Sequence, residues 1–213
     1  MDEGSLRQDY WHGAHWIGPE ADLFDANLWG ADLCATDLFG AYLSDGDLGG
    51  ANLVSSDLSG AHLSKASLEG GNFCGALLVA ADLEGADLGL ANLIGAVLDC
   101  ACLVGACLSG ANCAGTSFRG ANLRGADLTG ANLYNANLSG ADLTGADLTA
   151  ANFAYTRLTG ANLADVVMRD TNWPDKIAQR RGHAVDEARW ALREAWRQVE
   201  RKEAEEDPVD RAA

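Results

Sequence analysis

The chain has 213 residues, enough for one ordinary domain or one repeat array. It carries 31 acidic and 15 basic residues, a net charge of −16, which argues against direct contact with nucleic acid or an anionic membrane. No stretch is long and apolar enough to span a bilayer, the start MDEGSLRQDYWHG is too acidic and polar for a secretory leader, and six scattered cysteines lack zinc-type spacing, so the expectation is a cytoplasmic protein with reduced thiols.

Residues 1–20 read as a degenerate cap. Three loose five-residue units, GSLRQ, DYWHG and AHWIG, centre on Leu6, Trp11 and Trp16, and Pro19-Glu20 then shifts the phase by two. Trp11 and Trp16 are expected to plug this end of the array, as Trp173, Trp190 and Trp196 would plug the other. Open ends of stacked strands expose unpaired backbone and core leucines, which invites aggregation.

Residues 21–175 hold 31 consecutive quintets without a slip in register. With Ala at position one, position three is Leu in 25 of them, position two is Asp in 10 and Asn in 11, and position five is Gly in 17. A period of five suits neither a helix nor a plain strand. In extended chain, positions one and three share a face, a small residue beside a large one. Positions two and four face outward. Position five must turn the chain, and Gly there suits the third residue of a type II turn, which needs φ > 0. Each quintet is then a short strand plus a corner. Corners with Leu90 or Tyr155 at position five are expected to be type I or irregular. Leu23 through Trp173 line the axis, with Cys113 a core residue beside the bulkier Phe118, while Cys100, Cys102 and Cys107 fall on three different sides and do not converge on a metal.

One column sets the number of sides. Every fourth quintet has Asp32, Asn52, Asn72, Asn92, Asn112, Asn132, Asn152 or Asn172 at position two, so seven of the eleven Asn share that column. Stacked amides at strand spacing form ladders, which implies 20 residues and four sides per coil.

The quintets of ANLRGADLTG, small residue, Asp or Asn, Leu or Phe, any residue, Gly, resemble the pentapeptide-repeat family across residues 21–175. The resemblance implies an all-β solenoid, a right-handed quadrilateral β-helix. It also implies a non-enzymatic role, since some members act on DNA gyrase as look-alikes of DNA and protect it from quinolones or peptide toxins, and one mycobacterial member dimerises through its C-terminal segment.

Naming the sides A to D from the quintets at 21, 26, 31 and 36, sides A and B hold 13 of the 18 carboxylates in the array. Candidate partner-binding acids are Asp22, Asp47, Asp82, Glu84, Asp87, Asp127, Asp142 and Asp147. Turn capping by Asp at position two accounts for the residue type but not for its sidedness. Sides C and D carry an outward apolar strip, Leu77, Val79, Ile94 and Val97, a candidate contact surface.

Residues 176–213 form a neutral tail with nine bases and nine acids. Over 184–206 the spacing predicts a C-terminal α-helix with Val185, Leu192, Trp196 and Val199 in one apolar stripe, as a cap or, given its length, a homodimer contact.

No His, Ser or carboxylate constellation suggests catalysis, and the glycines follow the turn rule rather than a phosphate loop. No enzyme activity, cofactor or metal is expected. The expected role is binding of a protein partner, as a DNA mimic on gyrase or another topoisomerase, with a generic scaffold or adaptor as the alternative.

Overall fold

The computed structural model describes residues 10–12 and 15–172. The unit centred on Leu6, Trp173 and the whole predicted tail helix, with Val185, Leu192, Trp196 and Val199, lie outside the described residues.

Over residues 21–172 the chain repeats one local structure. Single parallel bridges join position-two residues 20 apart, from Asp22↔Tyr42 to Asn152↔Asn172, so the coil has four sides and 20 residues. Inter-coil backbone hydrogen bonds recur quintet after quintet, as at Leu23 N–H to Tyr42 O (2.8 Å), Asp25 N–H to Ser44 O (3.1 Å) and Tyr42 N–H to Ala21 O (2.8 Å). A corner bond closes the turn, as from Ala26 N–H to Leu23 O at 3.1 Å. A lone coil would leave the inter-coil donors in water; stacking satisfies them and buries the leucines together.

The axis is dry. Position three is buried from Leu23 to Met168, almost everywhere at 0–2% exposure, and the position-one alanines fill the corners beside it. Volume is balanced locally: at Phe73 the neighbouring position one is Gly71, where a Cβ would come within 2.7 Å of Phe73 Cε2. Cys113 and Phe118 are both fully buried, as expected, and burial pushes the Cys113 thiol up to about 12. At two polar position-one residues the hydroxyl turns inward to a carbonyl: Ser56 Oγ donates to Leu53 O at 2.7 Å and Thr116 Oγ1 to Leu93 O at 2.6 Å, while the buried Thr36 Oγ1 makes no such bond.

Two expectations are corrected. Every position five from 20 to 170 has positive φ, glycine or not, including Leu90 (57°) and Tyr155 (63°). Positive φ there together with the position-three to position-one hydrogen bond is the type II pattern. At Leu90 the corner is held by the inter-coil bond (Leu90 N–H to Ser109 O, 2.9 Å) together with the corner bond (Ala91 N–H to Leu88 O, 3.1 Å), which outweigh a left-handed cost of about 1–2 kcal/mol. Side-chain contacts help: Leu90 lies over the bare backbone of Gly110, where a Cβ would meet Leu90 Cδ2 at 2.8 Å, and Tyr155 packs edge-on against Tyr134 with ring centroids 5.3 Å apart.

The second correction is at the N-terminus. The units centred on Trp11 and Trp16 are not coil quintets. β1 (Tyr10–His12) and β2 (His15–Ile17) pair antiparallel, with Trp11 opposite Trp16. Only two residues, Gly13-Ala14, separate the strands, and so short a connection suits a hairpin rather than a coil side. Ile17, at 1% exposure, joins the core.

Candidate functional site

The candidate site is a surface, and position two builds it. All ten position-two aspartates point outward and accept the N–H two residues on, from Asp22 (3.4 Å from Phe24 N) through Asp127 (2.8 Å from Thr129 N) to Asp147 (2.9 Å from Thr149 N). This is an Asx turn, which explains why the position is Asp or Asn. It leaves the second carboxylate oxygen facing solvent or a neighbouring coil.

The predicted acids fall as expected on the two adjacent sides. Asp22, Asp82, Glu84 and Asp142 are on side A; Asp47, Asp87, Asp127 and Asp147 are on side B, with Asp127 bridged directly to Asp147 on the next coil. Asp22, Glu84 and Asp87 are exposed and the other five half-buried. Two of them have local partners. Asp82 takes the Ser64 hydroxyl at 2.7 Å on one oxygen and the Glu84 N–H at 3.1 Å on the other. Asp142 accepts from Thr144 Oγ1 at 2.5 Å and from Arg124 at 3.3 Å, and the Thr144 hydroxyl first, then the Thr144 N–H and Arg124, hold its carboxyl below the usual range.

Side A also stacks the rings of Tyr42 and His62, 4.8 Å apart and 3° from parallel. Lower on the same side, ligand atoms of Asp82, Glu84 and Cys102 lie within 4.8 Å of one another. Both oxygens of Asp82 are already engaged as described, and Cys100, Cys102 and Cys107 remain on separate sides.

Of the predicted apolar strip, Leu77, Val79 and Ile94 are 37–41% exposed, while Val97 is half-buried and bridges Leu77 from the coil below. Leu90, beside them at the B–C corner, is 67% exposed. Sequence reasoning missed a second apolar feature. Position four of the first coil is Phe24, Trp29, Cys34 and Phe39 on the four sides in turn, all exposed, with Trp29 at 70% lying against Gly49. Reading position four coil by coil, rather than side by side, would have shown this collar.

The pentapeptide-repeat family pattern matches in eight copies, over residues 20–53, 41–78, 56–93, 76–112, 106–145 and 146–172. Among solved structures, the chain is similar to HetL from the cyanobacterium Nostoc sp. strain PCC 7120, a pentapeptide-repeat protein involved in regulation of heterocyst differentiation: 31% identity, 73% of this chain and 88% of that one, TM-score 0.32. It is similar to QnrB1, a plasmid-mediated fluoroquinolone resistance protein, at 22% identity over 76% and 85% of the two chains, TM-score 0.40. A pentapeptide-repeat protein of the Arabidopsis thaliana thylakoid lumen shares 34% identity over 50% of this chain and 64% of that one, TM-score 0.24. No curated protein matches.

Proposed function

The chain belongs to the pentapeptide-repeat family, whose members fold as right-handed quadrilateral β-helices, and on that premise we propose that it is a non-enzymatic acidic rod whose sides A and B bind a basic protein groove in place of DNA, on gyrase or another topoisomerase. The observation that carries this reading is the sidedness of the acids. Every position-two Asp makes the same turn-capping bond that Asn makes elsewhere, so the fold does not dictate where the charge goes, yet the charge is gathered on two adjacent sides. Nearly eight coils at about 4.8 Å each give a rod of roughly 37 Å, and a DNA duplex of that length carries about 22 phosphates; residues 1–175 carry 22 acids and 6 bases. The setting is the cytoplasm, and the outcome for the cell would be inhibition of the topoisomerase or its protection from a drug or toxin.

The test is gyrase supercoiling and direct binding, with and without a quinolone. The cleanest variant converts Asp82, Asp87, Asp127 and Asp147 to Asn, because Asn keeps the acceptor that caps the turn and removes only charge. Binding should fall at least about tenfold and the wild-type affinity should drop steeply with salt. Absence of binding, inhibition and protection at low salt would eliminate the topoisomerase reading. A second reading, a scaffold or adaptor for another protein, is favoured by the exposed Leu77, Val79 and Ile94, and substitution of these would then abolish capture while the Asp→Asn set would not.

A further inference from the structure

In a chain of net charge −16, side C between Ala51 and Tyr155 has no charged residue at all. Its position-two column is the uninterrupted Asn52, Asn72, Asn92, Asn112, Asn132, Asn152. Its position-four column, Val54, Cys74, Ile94, Ala114, Tyr134, Ala154, is apolar throughout. The corner leading onto it is Gly50, Gly70, Leu90, Gly110, Gly130 and Ala150, also without charge. The side is flat along the rod, since each position-two residue bridges its equivalent one coil away.

The amides are ordered rather than solvated at random. Nδ2 of Asn92 donates to Asn72 Oδ1 at 3.0 Å, Asn132 to Asn112 at 3.1 Å, and Asn152 to Asn132 at 3.0 Å. Each Oδ1 also takes the N–H two residues on, as Ile94 N to Asn92 at 3.3 Å and Tyr134 N to Asn132 at 3.3 Å. At Asn72, Asn112 and Asn132 the acceptor is used twice, by the turn N–H and by the amide one coil on, which lowers the cost of desolvating this side. Apolar residues at its two corners flank the Asn column and are open: Leu90 at 67%, Ile94 at 41% and Tyr134 at 45% exposure, with Leu77 at 41% on the next side. Exposed apolar groups beside uncharged, internally hydrogen-bonded amides suit a protein contact, where charged residues are depleted.

We propose that side C is a self-association surface and that its occupant is side C of a second copy of this chain. The argument is charge. In a twofold contact each patch meets its own copy. Sides A or B, so paired, would set rows of carboxylates against each other. Side C brings no like charges into contact, and side-C pairing also leaves the acids of sides A and B of both copies facing away. Six coils at about 4.8 Å make the side roughly 29 Å long, and a footprint on the order of 500 Å² per copy buries about 1,000 Å² in all, the lower end for a specific contact. Pairing is therefore expected in the micromolar range rather than the nanomolar.

The salt dependence is opposite to that of the proposed topoisomerase contact. Added salt screens the mutual repulsion of two acidic rods, so pairing through side C tightens with salt, whereas binding of sides A and B to a basic groove weakens.

The experiment is sedimentation of the full chain from about 1 to 200 μM, at low and high salt. It is run on wild type, on Leu192→Asp/Trp196→Asp to remove any contact through the tail, and on that variant with Ile94→Lys and Tyr134→Lys added. The expected result is a mass rising toward two copies in the first two proteins, more steeply at high salt, and at least a tenfold weakening in the third. Ile94→Ser with Tyr134→Ser, which adds no charge, should weaken pairing less, and an unchanged circular dichroism melt keeps either pair interpretable. The proposal is overturned if the tail variant stays one copy at the highest concentration in high salt, or if the Lys variant pairs as tightly as its parent.

Discussion

Sides B and C are built on the same backbone, and the Asp residues at position two of one differ from the Asn residues at position two of the other by a single heavy atom. On side B, Asp47, Asp87, Asp127 and Asp147 each cap their own turn and then face solvent or one another. On side C, Asn52 through Asn152 cap the same turn, and Asn92 to Asn72, Asn132 to Asn112 and Asn152 to Asn132 also hydrogen bond from coil to coil at 3.0–3.1 Å. The core behind both is buried, mostly Ala and Leu on side B and with Phe73, Cys113 and Phe153 among the leucines on side C. The difference shows that this fold leaves the charge of position two free. The backbone requires a short side-chain acceptor there, and whether that acceptor carries a charge is left to other demands on the surface.

The largest effect should come from the part the two sides share. Leu93→Asp places a charge on the dry axis and should cost about the whole stability of an array this size, about 5–10 kcal/mol, leaving no cooperative melt. Short of that, the native core should be closed to reagents. Thiol labelling at neutral pH should reach the exposed Cys34 and Cys100 quickly and leave Cys113 untouched until denaturant unfolds the array. Labelling of Cys113 in native protein would mean that the coils open locally.

Exchanging the two position-two chemistries tests the comparison directly. Asn112→Asp with Asn132→Asp removes a ladder bond and stacks two carboxylates at about 4.8 Å, so it should cost about 1–2 kcal/mol at neutral pH. Each carboxyl would then have a raised folded-state pKa, so the penalty should fade as pH drops through the carboxylate range. The reciprocal Asp127→Asn with Asp147→Asn should stabilise by about 0.5–1 kcal/mol. Urea unfolding of both pairs decides, and equal effects of one sign would break the argument.

A smaller effect separates backbone from side chain at a corner. With φ at 57°, Leu90→Gly should be more stable than Leu90→Ala by about 1 kcal/mol, since both lose the contact with Gly110 and only Gly is relieved of strain. The smallest concerns Asp142. Its carboxyl is held below the usual range, so its contribution is present above the unfolded pKa and is lost as pH falls through the lower, folded value. At this half-exposed site it is worth a few tenths of a kcal/mol, visible as a difference between wild type and Asp142→Asn in melts near neutral pH that disappears in strong acid.

Most of the fold was legible because its determinants are local and repeated. The coil length could be read from the Asn column, since a ladder only helps if equal residues sit at equal height. The buried set could be read from position three, since nothing else in the quintet is large and apolar so regularly. The corners at Leu90 and Tyr155 could not, because single-residue preference set against φ > 0 is a weak term, and what overrules it is tertiary: at Leu90 a bond to Ser109 one coil away, at Tyr155 the packing on Tyr134. The hairpin of Tyr10–Ile17 was hidden by quintet-like spacing, though its two-residue Gly13-Ala14 link was on view. For the site, the acids of sides A and B and the strip around Leu77 were legible as outward positions, whereas the collar of Phe24, Trp29 and Phe39 was obscured by reading down columns instead of around a coil.

The unbroken register makes the array a clutch as well as a rod. Because each quintet is one quarter of a coil, removing 20 residues shortens the molecule and leaves every column aligned, while removing five would turn everything beyond the cut by a quarter revolution. The amides of side C beyond the cut would then continue the acid column of side B, and the acids of side B would continue side A, so each surface would pass into its neighbour at a single joint. Insertions and losses in such a chain therefore change which way its halves face, and only whole coils leave its facing unchanged.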